Sequence, residues 1–182
     1  MKLARLLLAC MLAVTVVMPL EACGSFFNNK YSIIVAVSVG SCFTVGLRSD
    51  GTVVATGRNT DGECDVEGWS GIKAVAAGYD CTIGLRNDGT CVATGWRFSD
   101  EYYVEDWSGI IAITTRGHTV GLRSDGTCVS TGLNNSGECD VEGWNGITAV
   151  SVDTSCTVGL RSDGTCVAVG WSSRGQLDVG DW

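Results

Sequence analysis

From residue 32 onward, short apolar and polar stretches follow one another in the same order four times. Each round opens with a run rich in Ile, Val and Ala, at 33–39, 72–77, 110–115 and 147–152. A second apolar stretch ends in Leu-Arg-Ser-Asp-Gly-Thr at 47–52, and this hexapeptide returns at 85–90 (with Asn87 for Ser), 122–127 and 160–165. Asp-Gly between two apolar stretches is the sequence form of a tight turn joining antiparallel strands. A third strand is expected at 53–56, 91–94, 128–131 and 166–169, stopped each time by a glycine (Gly57, Gly95, Gly132, Gly170). A polar loop then leads to a short segment such as Cys64-Asp65-Val66, expected to be a fourth strand, and the round closes on a tryptophan. No window carries helical periodicity, so the pattern predicts an all-β chain with four short strands per round.

The spacing is regular. Gly46, Gly84, Gly121 and Gly159 are separated by 38, 37 and 38 residues, as are Trp69, Trp107, Trp144 and Trp182, and the third copy is one residue short between Ala112 and Gly121. The units are therefore 32–69, 70–107, 108–144 and 145–182. A repeat of this length without a helical half is a β-propeller blade rather than a leucine-rich or ankyrin repeat. One small sheet cannot shield both of its faces, so successive blades must pack on each other. Each buried Val, Ile or Leu contributes roughly 1.5–3 kcal/mol to that packing, and the recurring Trp is expected to dominate the seams.

The first residues follow another logic. Lys2 and Arg5 precede a charge-free apolar run at 6–20, followed by Glu21-Ala22-Cys23-Gly24. Such a run is shorter than a membrane span and reads as an export signal at 1–22, with 23–31 as a connector. Leu20-Glu21-Ala22-Cys23 resembles a bacterial lipoprotein box, which makes Cys23 the candidate for lipidation and membrane attachment. Signal cleavage without a lipid is the plainer alternative, and an uncleaved anchor is the third. The expected location is the cell envelope or the exterior. The 182-residue chain is 45% hydrophobic with a single Pro, as suits one compact domain, and its formal net charge of -8 opposes a nucleic-acid partner.

The stretch 47–59, Leu-Arg-Ser-Asp-Gly-Thr-Val-Val-Ala-Thr-Gly-Arg-Asn, with Gly62-Glu63-Cys64-Asp65-Val66 and Trp69 after it, resembles the short bacterial form of the regulator of chromosome condensation repeat. The resemblance runs over about 33–182 in four copies, with local departures at Arg97, which replaces Asn59, and at Asp100, which replaces the loop glycine. It implies a β-propeller, commonly of seven blades. Four copies fall short of that ring, which leaves a tighter closed ring, an open arc, or a larger ring completed by another chain. The eukaryotic namesake of the family implies nucleotide exchange on a small GTPase as an alternative function, and export argues against it. A truncated propeller fragment is a further alternative.

Few residues invite chemistry. His118 stands where Cys81 and Cys156 stand in other copies, and no nucleophile motif accompanies it, so an inward structural role is expected. Cys91, Cys128 and Cys166 take the place of Val53, which marks them as small buried hydrophobes, and with no Cys-x-x-Cys a zinc site is not expected. Strand pairing around Asp88-Gly89 sets Cys91 near Arg86 and away from Cys81, which argues against a bridge between the two cysteines. Asp61, Glu63, Asp65 and Glu67, and again Glu138, Asp140 and Glu142, alternate as on one face of an extended segment. The set lacks the remaining ligands of a calcium loop, so a solvated, charge-protected edge is expected rather than a metal-assisted hydrolase.

Divergence between copies is more informative. The residue after the third-strand glycine is Arg58, Trp96, Leu133 or Trp171, and Arg97 and Phe98 add bulk to the second copy. Aromatic and Arg side chains in exposed loops dominate protein interfaces, and these six are the candidate contacts. The sequence thus predicts a non-enzymatic, exported propeller without cofactor or metal that binds a protein or surface ligand through loops on one face, with pairing of chains as one route to a complete ring.

Overall fold

A computed structural model describes residues 32–95 and 103–182. The expected signal at 1–22 and the connector lie outside the described residues. Twelve strands run in chain order: β1 Ile34–Val39, β2 Phe43–Arg48, β3 Val53–Gly57, β4 Ile72–Ala77, β5 Cys81–Arg86, β6 Cys91–Gly95, β7 Ile110–Thr115, β8 His118–Arg123, β9 Cys128–Gly132, β10 Ile147–Val152, β11 Cys156–Arg161 and β12 Cys166–Gly170. They form four antiparallel sheets of three strands, each a sequential meander. The expected fourth strand is absent among the described residues: Cys64-Asp65-Val66 and its counterparts in the third and fourth blades are turns. The missing residue of the third copy falls in the loop between β7 and β8, where only Arg116 and Gly117 connect the strands.

The hairpin turn explains its own recurrence. Arg48 N–H donates to Thr52 O (2.8 Å) and Gly51 N–H to Arg48 O (3.0 Å), with Gly51 at φ 79°, a left-handed conformation that favours glycine. Asp50 Oδ1 accepts from the Thr52 N–H (2.9 Å) and hydroxyl (2.7 Å), and Asp88, Asp125 and Asp163 repeat both bonds with Thr90, Thr127 and Thr165. Those bonds hold all four carboxyls below the ordinary aspartate range.

The core lies between the sheets rather than within them. One cluster joins Val45, Leu47, Val53 and Val66 of the first blade to Ile72 and Val75 of the second; another joins Ile83, Leu85 and Trp107 to Ile110; a third joins Val120, Leu122 and Trp144 to Ile147. Each middle strand alternates accordingly, with Val or Ile and Leu facing the following blade and Thr and Gly the preceding one. A Cβ at Gly84 would come 2.7 Å from the Trp69 ring, at Gly121 2.8 Å from Trp107, and at Gly159 2.6 Å from Trp144. The strand glycine is therefore the seat of the tryptophan from the blade before. Cys81, Cys91 and Cys128 are buried in these cores, where burial pushes each thiol up to about 11, and all eight cysteines of the described residues are free thiols. Cys91 stands opposite Leu85 and Cys81 opposite Gly95, at different levels of the sheet.

Among the described residues, strand packing runs from each blade to its neighbour in sequence, and no comparable packing joins the first blade to the fourth. The molecule is a partial, open propeller of four blades.

Two outcomes follow from this packing. Trp144→Ala should lower stability by about 3–5 kcal/mol, the usual cost of truncating a core Trp, read from urea denaturation. On acidification, the four turn aspartates contribute stability that is present above their unfolded pKa of about 3.9 and is lost as pH falls through their lower folded values. The thermal midpoint should fall in that window, and Asp125→Asn should make the fall shallower.

Candidate interaction surface

The loops after β3, β9 and β12 leave the sheets on the face that also carries the links between first and second strands of each blade. Arg58 N–H donates to Cys42 O (2.9 Å), Leu133 N–H to Gly117 O (3.3 Å) and Trp171 N–H to Ser155 O (2.8 Å). The Asp-Gly turns occupy the opposite face. Close approach at these points requires the glycine before each loop: Gly132 has φ 115°, and a Cβ there would lie 2.7 Å from His118 Cα.

The candidate contacts have unlike surroundings. Arg58 is partly exposed but tied down: its Nε donates to Glu63 Oε1 (2.6 Å), and its Nη2 donates to Asp80 and to Tyr79 O (3.3 Å). Hydrogen bonds to Asp80 and Glu63 hold the guanidinium more firmly in its charged form. It ties the first blade to the second. Leu133 is half-buried, with Cδ1 about one van der Waals contact from the position a Cβ on Gly117 would take. Trp171 is 48% exposed. Trp96, Arg97 and Phe98, like Cys23, lie outside the described residues.

Five of the seven carboxylates expected at a solvated edge, Asp61, Asp65, Glu67, Asp140 and Glu142, are exposed, and two are not. Glu63 is fully buried and Glu138 is 4% exposed. The reason is a turn in place of the strand, which points the Glu63 and Glu138 carboxylates back toward their own loops. Glu63 Oε2 accepts from the Asp61 N–H (2.8 Å), Glu138 Oε2 from the Ser136 N–H (2.7 Å), and Gln176 Oε1 from the Arg174 N–H (2.9 Å). A neutral amide does this work in the fourth copy, so the recurring requirement is an acceptor rather than a charge. Burial pushes the Glu63 carboxyl up, but the bonds from backbone N–H groups and Arg58 outweigh it and hold it below the usual range. Asn59 Nδ2 donates to Asp65 Oδ1 (2.8 Å) and Asn59 Oδ1 accepts from Cys64 N–H (2.8 Å); Asn134, Asp140 and Cys139 repeat the brace at 3.0 and 2.8 Å. Asp61, Glu63 and Asp80 do converge as a potential cation site. The guanidinium of Arg58 already sits among them and supplies the positive charge, with Asp61 at 4.0 Å.

His118 is completely enclosed. The Thr157 hydroxyl donates to Glu138 O (2.7 Å), so its oxygen accepts from His118 Nε2 (2.6 Å), which fixes the proton on Nε2. Burial pushes the imidazole below its ordinary pKa, with Glu138 and Asp153 opposing. The ring links the third blade to the fourth from within.

The face also holds a polar cluster that sequence reasoning passed over. Arg116 lies over the Tyr79 ring, 5.3 Å from its centroid, and its Nε is 3.1 Å from Asp153 Oδ1. Tyr79 and Thr154 share a 2.5 Å hydroxyl bond, which joins the second blade to the fourth. The bond to Thr154 and the Arg116 guanidinium hold the phenol below its usual pKa. The signal was present: in the link between first and second strands the copies read Ser41, Tyr79, Gly117 and Thr154, with Arg116 and Asp153 standing where the first two copies have Gly40 and Gly78.

Comparison with known proteins agrees with this architecture. Residues 34–63 match the regulator of chromosome condensation (RCC1) repeat. No curated protein matches the chain. Yeast RCC1 (Prp20), in a crystal structure bound to Kap60, superposes with a TM-score of 0.67 at 16% identity, covering 87% of this chain and 47% of that one. The ectodomain of the Physcomitrella patens receptor kinase CR4 gives 0.61 at 18% identity over 81% and 40%, and human WBSCR16 gives 0.63 at 16% over 77% and 48%. The chain thus spans about half the length of the solved structures it matches, and what it shares with them is an RCC1-like repeat fold, present here as a four-bladed partial propeller.

Proposed function

We propose that this chain is a non-enzymatic binding module, exported to the cell envelope or beyond, that recognises a protein or surface ligand through the loops of one propeller face. The observation that carries the reading is the contrast between the two faces. The Asp-Gly turns repeat nearly unchanged, whereas on the opposite face the described copies differ after the third-strand glycine (Arg58, Leu133, Trp171) and in the strand links (Ser41, Tyr79, Gly117, Thr154), with Trp171 half exposed. A face built from one repeated backbone and unlike side chains is suited to recognition, and half-exposed Trp is typical of residues that dominate binding.

Within this reading Trp171 is the principal described contact. Arg58, with its donors engaged by Glu63, Asp80 and Tyr79, serves the frame. Trp96, Arg97 and Phe98 of the second copy, outside the described residues, are candidate contacts by sequence alone. Among the described residues no helix is long and apolar enough to cross a membrane. Attachment, in this reading, comes from the first residues, through lipid at Cys23. Yeast RCC1 is bound to Kap60 in its crystal structure and CR4 is a receptor ectodomain, so comparable folds serve as docking partners and extracellular modules. That likeness supports a protein partner here.

Two measurements test the assignment of roles. After capture of a partner from envelope fractions, Trp171→Ala should weaken its affinity about 30-fold, the effect of a hot spot of about 2 kcal/mol, while Ser124→Ala in an opposite-face turn should leave it unchanged. Equal binding by all variants would remove the site from this face. Arg58→Leu should lower the thermal midpoint by leaving Glu63 buried without its counter-charge, and adding Glu63→Gln, the residue type of the fourth copy, should recover most of the loss.

A further inference from the structure

His118 is enclosed in the seam between the third and fourth blades with one ring nitrogen unused. Its Nε2–H donates to the Thr157 hydroxyl of the fourth blade (2.6 Å), and that hydroxyl donates to Glu138 O (2.7 Å). In this tautomer Nδ1 carries a lone pair, and the atom is buried with no hydrogen-bond partner. A proton arriving there would create a charged N–H with no acceptor in reach, on a ring with no exposure to solvent. The charged groups around the ring do not take that role. Glu138, buried in the outer turn of the third blade, accepts the Ser136 N–H on Oε2 (2.7 Å). Asp153, in the first link of the fourth blade, faces Arg116 Nε at 3.1 Å. The negative charge of both carboxylates attracts a cation on the ring, and burial outweighs it.

The other copies fill the same place without a titrating group. Phe43, Cys81 and Cys156 stand where His118 stands, and Phe43 and Cys81 close the first and second seams with as little exposure. A phenyl ring does not titrate, and burial holds the Cys81 thiol up at about 11. The turn aspartates and Glu63 are held below the ordinary carboxylate range, so they stay ionised through mildly acid pH. His118 is the only histidine in the chain, and imidazole is the side chain that ordinarily changes charge in the mildly acid range.

We propose that the seam between the third and fourth blades is an acid-sensitive joint governed by His118. The seam stays closed while the imidazole is neutral, with its Nε2–H on Thr157. Protonation at Nδ1 requires the fourth blade to move far enough from the third for water to reach the ring. The sign follows from which form takes the proton. An imidazole that protonates more readily when the seam is open contributes stability that is present above its ordinary pKa of about 6.5 and is lost as the pH falls below it. The same movement lifts Gly159 from the Trp144 ring, which packs within 2.6 Å of a Cβ built on that glycine. The inference does not rest on the binding face proposed above, since it concerns only residues within the seam.

The test is urea unfolding of the full chain in mild detergent at about pH 7.5 and about pH 5.5. One proton taken up only on opening raises the unfolding constant by as much as tenfold for each pH unit below the ordinary pKa, and so by as much as tenfold over this interval. His118→Cys installs the residue of the second and fourth copies and leaves nothing to protonate. A rise of threefold or more that this variant abolishes is the expected result; a smaller rise, or one that the variant shares, overturns the inference. Amide hydrogen exchange, corrected for the intrinsic effect of pH, should place the lost protection in β10–β12 and not in β4–β6, and an even loss over all four blades overturns the assignment to this seam. If the variant fails to fold, NMR of the wild type decides, because one histidine gives one imidazole signal. A ring still neutral in the folded molecule at about pH 5.5, with its proton on Nε2, is the expected state, and a ring protonated within the intact fold at that pH overturns the proposal.

Discussion

The fit of a tryptophan ring onto a glycine in the next blade is the contact on which the rest depends. Glycine in the middle of a strand ordinarily weakens it, having no side chain to pack and more backbone freedom to lose. Here the loss is offset by an indole that could not otherwise approach the strand: even a methyl group at Gly121 or Gly159 would stand under 3 Å from the ring. The three hydrophobic clusters each contain residues from two blades, so no blade has a core of its own. Stability is a property of seams, and the isolated repeat has none.

The outer part of each blade solves a second problem with polar groups. A fourth strand would have covered the third; a compact turn stands there, braced by Asn59 and Asp65 and closed by a buried acceptor at Glu63. The same backbone accepts Glu138 or Gln176 at that point. Arg58 is an addition peculiar to the first copy, and it converts a local turn-closing carboxylate into a link between blades through Asp80.

What could be read from the sequence was governed by how local the cause is. The hairpins were legible because Asp50, Gly51 and Thr52 complete their turn within a few residues, and the strand alternation followed from which face meets the next blade. The turn at Cys64-Asp65-Val66 was not legible, since its apolar Val and alternating acids imitate an edge strand. What excludes the strand is side-chain bonding from Asn59 and Glu63 to the backbone, which competes with pairing. The burial of Glu63 was hidden for the same reason: nothing in a run of acids shows which one turns inward. The column after the third-strand glycine mixes two roles, and sequence could not separate Arg58, held by Glu63 and Asp80, from the half-exposed Trp171.

The cluster of Tyr79, Arg116, Asp153 and Thr154 acts as a keystone. It spans the second, third and fourth blades at the narrow side of the arc, through one ring contact, one ion pair and one hydroxyl bond. Sheets packed through apolar seams can pivot about them with little change in buried area. Fixed polar links near the axis remove that freedom and set the angle from blade to blade. The curvature of this molecule, and with it the number of blades a finished circle would hold, is thus governed by a few side chains in the shortest loops of the repeat.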